Sequence, residues 1–347
     1  MDLGLGRLDQ EQGGQGRVGG VHASGDPLLA SLCWGAARFP CLATDERRAA
    51  HEHQLTAYLE AAPRFPVRFQ RAVLNVPEPV PVHFFQRRRR RRRRQRRQAT
   101  RPGVIVLRGG VDTWKMDLHR LAVATARATG LLVAAVDMPG TGESTVPLAP
   151  DADRILVGLV SRLRRAYGQP VGFYGTSFGA HWAAKLALAG HVDAAVDLGG
   201  PTGLTDEPID LLNLPHGMPG IVGNALHLDE MPDRSAIADL LAGFSLREQG
   251  LLDKAGAGGS PLLAVNGADD VYVPLGDTVG LAGRPETTVW VIKNASHCAP
   301  ERSPQVNLAL WGWLAARLAP PGRPLPRLAE VAARQPLRPY IDGRATG

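Results

Sequence analysis

From Val104 onward the chain alternates short, continuously apolar runs with stretches of helical periodicity, and few folds accept that pattern. Val104-Ile105-Val106-Leu107 is apolar at every position and too short for a buried helix, so it reads as a strand covered on both faces. Trp114–Thr129 then reads as a helix, Leu131–Val136 as a strand and Asp151–Tyr167 as a helix. Val171–Tyr174 and Val192–Leu198 read as strands flanking a helix at Phe178–Ala189. The alternation pauses between Pro201 and Gly259. It resumes with strands at Pro261–Val265 and Thr287–Ile292 and a last helix at Pro304–Leu318. Parallel strands need a crossover between them, and a helix supplies it. The pattern therefore predicts the α/β class, with a mostly parallel central sheet and helices on both faces. The pause predicts a helical insertion carried above the sheet.

The upstream segment reads differently. Residues 1–26 hold eight glycines and little apolar pattern, which predicts a flexible tail. Pro27–Ala62 reads as helical, with Leu28, Leu29, Leu32 and Trp34 on one face and Asp45 capping the stretch Glu46–Leu59. Residues 68–76 read as a strand, Pro77-Glu78-Pro79 as a break, and Val80–Phe85 as the returning strand. The expected organisation is a tail over 1–26, a helical segment over 27–66 and the first part of a core over 67–200. The insertion then covers 201–259, the second part of the core 260–319, and a Pro/Arg-rich tail 320–347.

Net charge is misleading here. The chain carries +7 at neutral pH, which suggests a polyanion partner. Arg87–Arg94 with Arg96 and Arg97 contribute ten positive charges, and without them the remainder stands at −3. The run falls in a connection between two strands, where like charges repel and cannot pack, so residues 87–101 are expected to be disordered. Clustered cations bind nucleic acid or anionic lipid non-specifically. No aromatics are interleaved to read bases, so specific nucleic-acid recognition is not expected. The three cysteines, Cys33, Cys41 and Cys298, show neither disulfide nor zinc spacing, and no metal is expected. The N-terminus lacks the apolar core of a secretory signal, and no run approaches the roughly 18–20 apolar residues of a membrane helix. A cytoplasmic protein is expected, and the sequence permits a homodimer.

Gly175-Thr176-Ser177-Phe178-Gly179 matches G-x-S-x-G between a strand and a helix. Such a turn is tight enough to lift the serine hydroxyl clear of the sheet, and side chains at the flanking glycines would collide with neighbouring elements. A serine hydroxyl needs a base to become a nucleophile. In this arrangement the partners follow in the order Ser, Asp, His, each after a later strand. The strand ending at Val265 runs into Asn266-Gly267-Ala268-Asp269-Asp270, where Asp270 is favoured over Asp269. The strand ending at Ile292 runs into a loop bearing His297, the candidate base. His181 is expected to pack beneath the nucleophile helix, His191 to lie in a loop, and His216 and His227 to lie on the insertion. Cys298 reads as a bystander. Oxyanion donors are expected from the backbone N–H of Phe178 and from the loop Arg108-Gly109-Gly110-Val111-Asp112, with Val111 nominated and Gly110 the alternate. Asp112 reads as a brace for that loop.

Together with Asp137-Met138-Pro139-Gly140-Thr141-Gly142-Glu143-Ser144, these residues resemble the α/β-hydrolase superfamily over roughly residues 27–319. More narrowly they resemble its FrsA-like esterase branch. The resemblance implies an α/β-hydrolase fold, a helical cap from 201–258 with or without 27–62, a Ser177-Asp270-His297 triad, and neither metal nor organic cofactor. It implies a small-molecule acyl substrate. The apolar insertion (Leu211, Leu212, Leu214, Met218, Ile221, Val222) adds the expectation of an apolar one. Ester hydrolysis through an acyl-enzyme is the leading reading. Acyl transfer or carbon–carbon hydrolysis on the same triad is the first alternative, and polyanion binding through the arginine run the second.

Overall fold

The computed structural model describes residues 25–88, 102–205, 209–252 and 259–319. Most of the arginine run, the greater part of the N-terminal tail and the C-terminal tail from 320 lie outside those residues, so the expected disorder and flexibility there are not addressed. The chain divides into two compact units at Phe65–Pro66.

The first unit carries helices α1 (Pro27–Arg38) and α2 (Asp45–Ala61). Two sequence expectations are corrected here. Thr44, not Asp45, is the cap of α2: its hydroxyl accepts Arg47 N at 3.3 Å, and Asp45 is the first helical residue. The buried face of α1 runs through Pro27, Ala30, Ser31, Gly35 and Arg38, while Leu29 and Leu32 point outward. Small and hydrogen-bonding residues line that face because α2 approaches it closely. Ser31 Oγ donates to Gln54 O at 3.1 Å, and Arg38 Nε to Gln54 Oε1 at 3.2 Å.

The second unit is built on an eight-stranded sheet. Its strands are β1 (Arg68–Val76), β2 (Glu78–Gln86), β3 (Val104–Arg108), β4 (Leu132–Val136), β5 (Val171–Thr176), β6 (Ala194–Leu198), β7 (Leu262–Gly267) and β8 (Thr287–Ile292). The spatial order is β1-β2-β4-β3-β5-β6-β7-β8. β1 and β2 form an antiparallel hairpin, and β2 runs antiparallel to β4. Every pairing from β4 to β8 is parallel. The inner strands are buried along their whole length, as their apolar runs require.

Helices α3 (His119–Thr129), α4 (Asp153–Tyr167), α5 (Phe178–Leu188) and α9 (Ser303–Leu318) cover the sheet. α3 packs with α9, and α4 with α5. Successive residues of β5 show the two faces. Phe173 joins the apolar cluster of Leu159, Trp182 and Leu186, whereas the Tyr174 hydroxyl donates to Asn307 Oδ1 on α9 at 2.9 Å. Between β6 and β7 the chain makes α6 (Met218–Ala225) and α7 (Arg234–Ala242), and a short α8 (Leu275–Val279) precedes β8. Among the described residues no helix is long and apolar enough to cross a membrane.

The helix expected from Trp114 begins only at His119, and electrostatics explains the delay. Lys115 is fully buried, its ammonium paired with the Asp137 carboxylate and with Glu143 Oε2 at 2.8 Å. Lys115 N also donates to Asp137 Oδ1 at 2.8 Å, and Glu143 N to Asp137 Oδ2 at 2.9 Å. Trp114 N is taken by the Asp117 side chain at 2.8 Å. These bonds hold residues 114–117 out of helix and fasten the loop after β3 to the loop after β4. Burial alone would raise the Asp137 pKa, but the Lys115 charge and the N–H donors outweigh it and bring it down to about 2.

Removing one partner of a buried ion pair strands the other. Lys115→Met is expected to cost about 3–5 kcal/mol, read as a lowered urea midpoint. A carboxylate with a depressed folded-state pKa contributes stability above its unfolded value of about 3.9, and that contribution disappears as the pH falls toward the folded value. Acid unfolding of the parent protein should therefore steepen between about pH 4 and 2, and an unchanged Lys115→Met midpoint would remove the pair from this role.

Candidate active site

Ser177 occupies the turn between β5 and α5 with φ 54° and ψ −135°, a conformation that L-residues rarely adopt. The strain is held by its surroundings. Ser177 N donates to Leu198 O at 2.9 Å, and Ser177 O accepts Ala180 N at 2.8 Å. A β-carbon at Gly175 would overlap Gly179 O, and one at Gly179 would overlap Gly109 O. The turn closes only because both positions lack a side chain.

The structure brings Ser177, His297 and Asp270 into one hydrogen-bonded chain. His297 Nε2 lies 2.9 Å from Ser177 Oγ, and His297 Nδ1 lies 2.7 Å from Asp270 Oδ2. The Asp270 side chain is 1% exposed and that of His297 18%. Asp270 Oδ1 accepts Tyr272 N at 2.8 Å and Val273 N at 3.2 Å, and Asn266 Nδ2 donates to Asp270 Oδ2 at 2.7 Å. A carboxylate is acceptor-only, so His297 carries its proton on Nδ1, and Nε2 faces the serine hydroxyl as an acceptor. Burial would lower the imidazole pKa, but the Asp270 bond and the adjacent Cys298 sulfur outweigh it, and His297 is held above the ordinary histidine value. Burial likewise pushes Asp270 upward, and its bond to His297 and the other donors bring it below the usual carboxylate range. Asp269, the competing carboxylate, is exposed and enters the site only through its backbone, which donates to Ala295 O at 3.0 Å.

The loop after β3 lies against the serine. A β-carbon at Gly110 would sit 2.8 Å from Ser177 Oγ and 3.6 Å from Phe178 N. Among the described residues the N–H groups of Phe178 and Val111 have no hydrogen-bond partner, and both residues border the cavity above Ser177. Val111 O accepts the Trp114 indole N–H at 3.2 Å, which fixes the direction of that peptide. Asp112 accepts the Thr113 hydroxyl at 3.1 Å.

That cavity measures about 680 Å³. Its apolar wall comes largely from the insertion, including Leu211, Leu214, Met218, Val222, Leu241 and Phe244. His181 is buried with Nδ1 3.0 Å from Pro201 O, and burial lowers its pKa to about 3, so it is a neutral packing residue. His191, His216 and His227 are exposed. His216 Nδ1 lies 2.5 Å from the Tyr272 hydroxyl, and the Tyr272 ring meets the His297 ring edge-on at 5.2 Å. Sequence reasoning passed over Tyr272 and Asn266. The signal at Asn266 was a lone amide ending an apolar run. For Tyr272 there was none beyond its nearness to Asp270.

Comparison with known proteins follows the same lines. A family model described as "Esterase FrsA-like" matches residues 8–284. No curated protein matches the sequence. The fold is similar to that of AbyA5, at TM-score 0.71 and 17% identity, with 90% of each chain covered. It is also similar to that of a 2,6-dihydroxy-pseudo-oxynicotine hydrolase, at TM-score 0.65 and 20% identity, covering 92% of this chain and 93% of that one. An arylesterase structure matches at TM-score 0.53 and 15% identity over 78% of this chain and 92% of its own.

A methyl group at position 110 reports on the approach of this loop to the serine. Gly110→Ala, compared as folded protein, is expected to slow labelling of Ser177 by a fluorophosphonate at least about ten-fold, since near-ångström displacements at a reacting atom cost roughly that much or more. Labelling at the parental rate would place the loop farther from Ser177 than the geometry has it.

Proposed function

The chain belongs to the FrsA-like esterase family, and from that premise we propose that it hydrolyses a carboxylic ester through an acyl-enzyme on Ser177. The observation that carries the reading is the hydrogen-bonded chain from Asp270 through His297 to Ser177, at 2.7 and 2.9 Å, at the edge of a cavity of about 680 Å³.

In this mechanism Ser177 Oγ attacks the ester carbonyl carbon while His297 Nε2 takes the hydroxyl proton. Negative charge develops on the carbonyl oxygen and is met by the N–H groups of Phe178 and Val111, with the N-terminus of α5 adding its positive end. Protonated His297 then gives its proton to the departing alkoxide. Water enters, His297 deprotonates it, and attack on the acyl carbon releases the acid and restores Ser177. Asp270 keeps the imidazole in the tautomer that both half-reactions need.

The walls speak for the substrate. Pockets of this size hold ligands of drug-like bulk, and a small acetyl group would leave most of the apolar wall uncovered. The insertion acts as a cap over an apolar acyl group, which its aliphatic side chains and Phe244 desolvate. p-Nitrophenyl esters of increasing acyl length should therefore show kcat/KM rising from acetyl toward medium chains.

Ser177→Ala should abolish turnover and fluorophosphonate labelling together, and turnover by a folded Ser177→Ala protein would defeat the proposal. Replacing the exposed Asp269 by Ala should leave kcat within about two-fold, whereas Asp270→Asn should lower it roughly a thousand-fold or more by favouring the wrong tautomer. The base must be neutral to accept a proton, and His297 has a raised pKa. Activity should thus fall as pH drops through a midpoint above about 6.5. Asp270→Asn should move that limb to lower pH, because it removes a group that favours the protonated ring. Initial rates across a pH series check both.

A further inference from the structure

Asn266 sits one residue from the end of β7 and is fully buried. Buried amides are held by specific partners or they are costly, and this one has all its visible partners inside the site. Its Nδ2 donates to Asp270 Oδ2 at 2.7 Å, the same oxygen that meets His297 Nδ1. Its Oδ1 accepts Cys298 N, the residue after His297, at 3.1 Å, and Gly267 N at 2.9 Å. Only one orientation of the amide serves these partners. The carboxylate needs a donor and the two backbone N–H groups need an acceptor, so a flipped amide would lose all three bonds.

The two loops thus joined follow different strands, and they also meet through the His297–Asp270 bond itself and the Tyr272–His297 ring contact. One follows β7 and carries Asp270; the other follows β8 and carries His297. They share the backbone bond from Asp269 N to Ala295 O, but that bond touches neither functional side chain. Asn266 alone among the described side chains reaches both the carboxylate and the peptide next to the imidazole, from a strand buried along its whole length.

We infer that Asn266 is a positioning residue for the site proposed above: its amide holds the Asp270 carboxylate and the His297 loop at one separation and so fixes the orientation of the imidazole toward Ser177. The inference rests on the esterase reading for its kinetic consequence, but not for the geometry. A residue that acts through an orienting partner typically alters rate by 10–100-fold, and it does so without touching substrate.

The test uses the full-length protein and its best p-nitrophenyl ester. Asn266→Leu should lower kcat by about 10–100-fold with KM within about two-fold, since no substrate contact is removed. In an Asp270→Asn background the same substitution should cost little more, because a group that works through Asp270 has nothing left to position. Additive losses, or a kcat within two-fold of the parent, would overturn the inference. Asn266→Asp guards against misfolding: it keeps both backbone bonds and replaces only the donor to Asp270. Carboxylates this close coexist by sharing a proton, so the kcat/KM profile of Asn266→Asp should gain an ionisation that the parent lacks. A profile superimposing on the parental one would also count against the role. One readout needs no substrate. The low-field proton signal of the His297–Asp270 bond, identified by its loss in His297→Gln, should shift or broaden in Asn266→Leu, and a signal unchanged there overturns the inference. If Ser177→Ala keeps its turnover, the esterase reading falls while this signal still decides the role of Asn266.

Discussion

The turn between β5 and α5 holds Ser177 at a positive φ, and neighbouring elements are shaped around it. Backbone strain of this kind persists only where the surroundings over-determine it. Here β6 receives the serine N–H through Leu198 O, α5 begins at once, and Gly175 and Gly179 let strand, helix and the loop after β3 meet without side chains between them. The position of the hydroxyl at the cavity is a consequence of that crowding. A residue lifted out of a sheet by a tight turn has nowhere to point except the cavity.

Two charge systems flank the turn and do different work. On one side Lys115, Asp137 and Glu143 form a buried knot that ties the loop after β3 to the loop after β4. Ion pairs of this type add little net stability compared with apolar packing, but they tolerate few alternative arrangements. The knot anchors the chain at Lys115, four residues after Val111. On the other side Asp270 accepts four hydrogen bonds, from Asn266, Tyr272, Val273 and His297. A carboxylate so fully satisfied stays ionised, and an ionised carboxylate against Nδ1 directs the other ring nitrogen to the serine. The insertion contributes no group to this chain. It supplies apolar wall, and it meets the loop after β7 through the bond between His216 and Tyr272.

Legibility in the sequence followed the range of the interactions involved. Strands such as Val104–Arg108 and Leu132–Val136 declared themselves through unbroken apolar runs, because burial on both faces leaves no other composition. Elements set by long-range polar contacts were misread. The helix expected from Trp114 starts five residues late, chiefly because Lys115 is claimed by Asp137, a partner that no local pattern announces. The face of α1 was assigned to leucines, yet small residues and Arg38 are inside, because what matters there is how closely α2 approaches.

The sequence by itself determined the class of fold, the tight turn at Ser177 and the order in which Asp270 and His297 follow it. These depend on composition within a few residues: apolar runs for strands, glycines for a turn that side chains would block, a carboxylate and an imidazole on loops after later strands. Only the tertiary structure decided which aspartate faces His297, that Asn266 spans the two loops, and that the insertion walls a cavity rather than packing flat. Those outcomes turn on distances between residues some 30 to 120 positions apart in the chain. Such distances are set by strand register and loop path, and a linear pattern of side chains does not encode them until the sheet has closed.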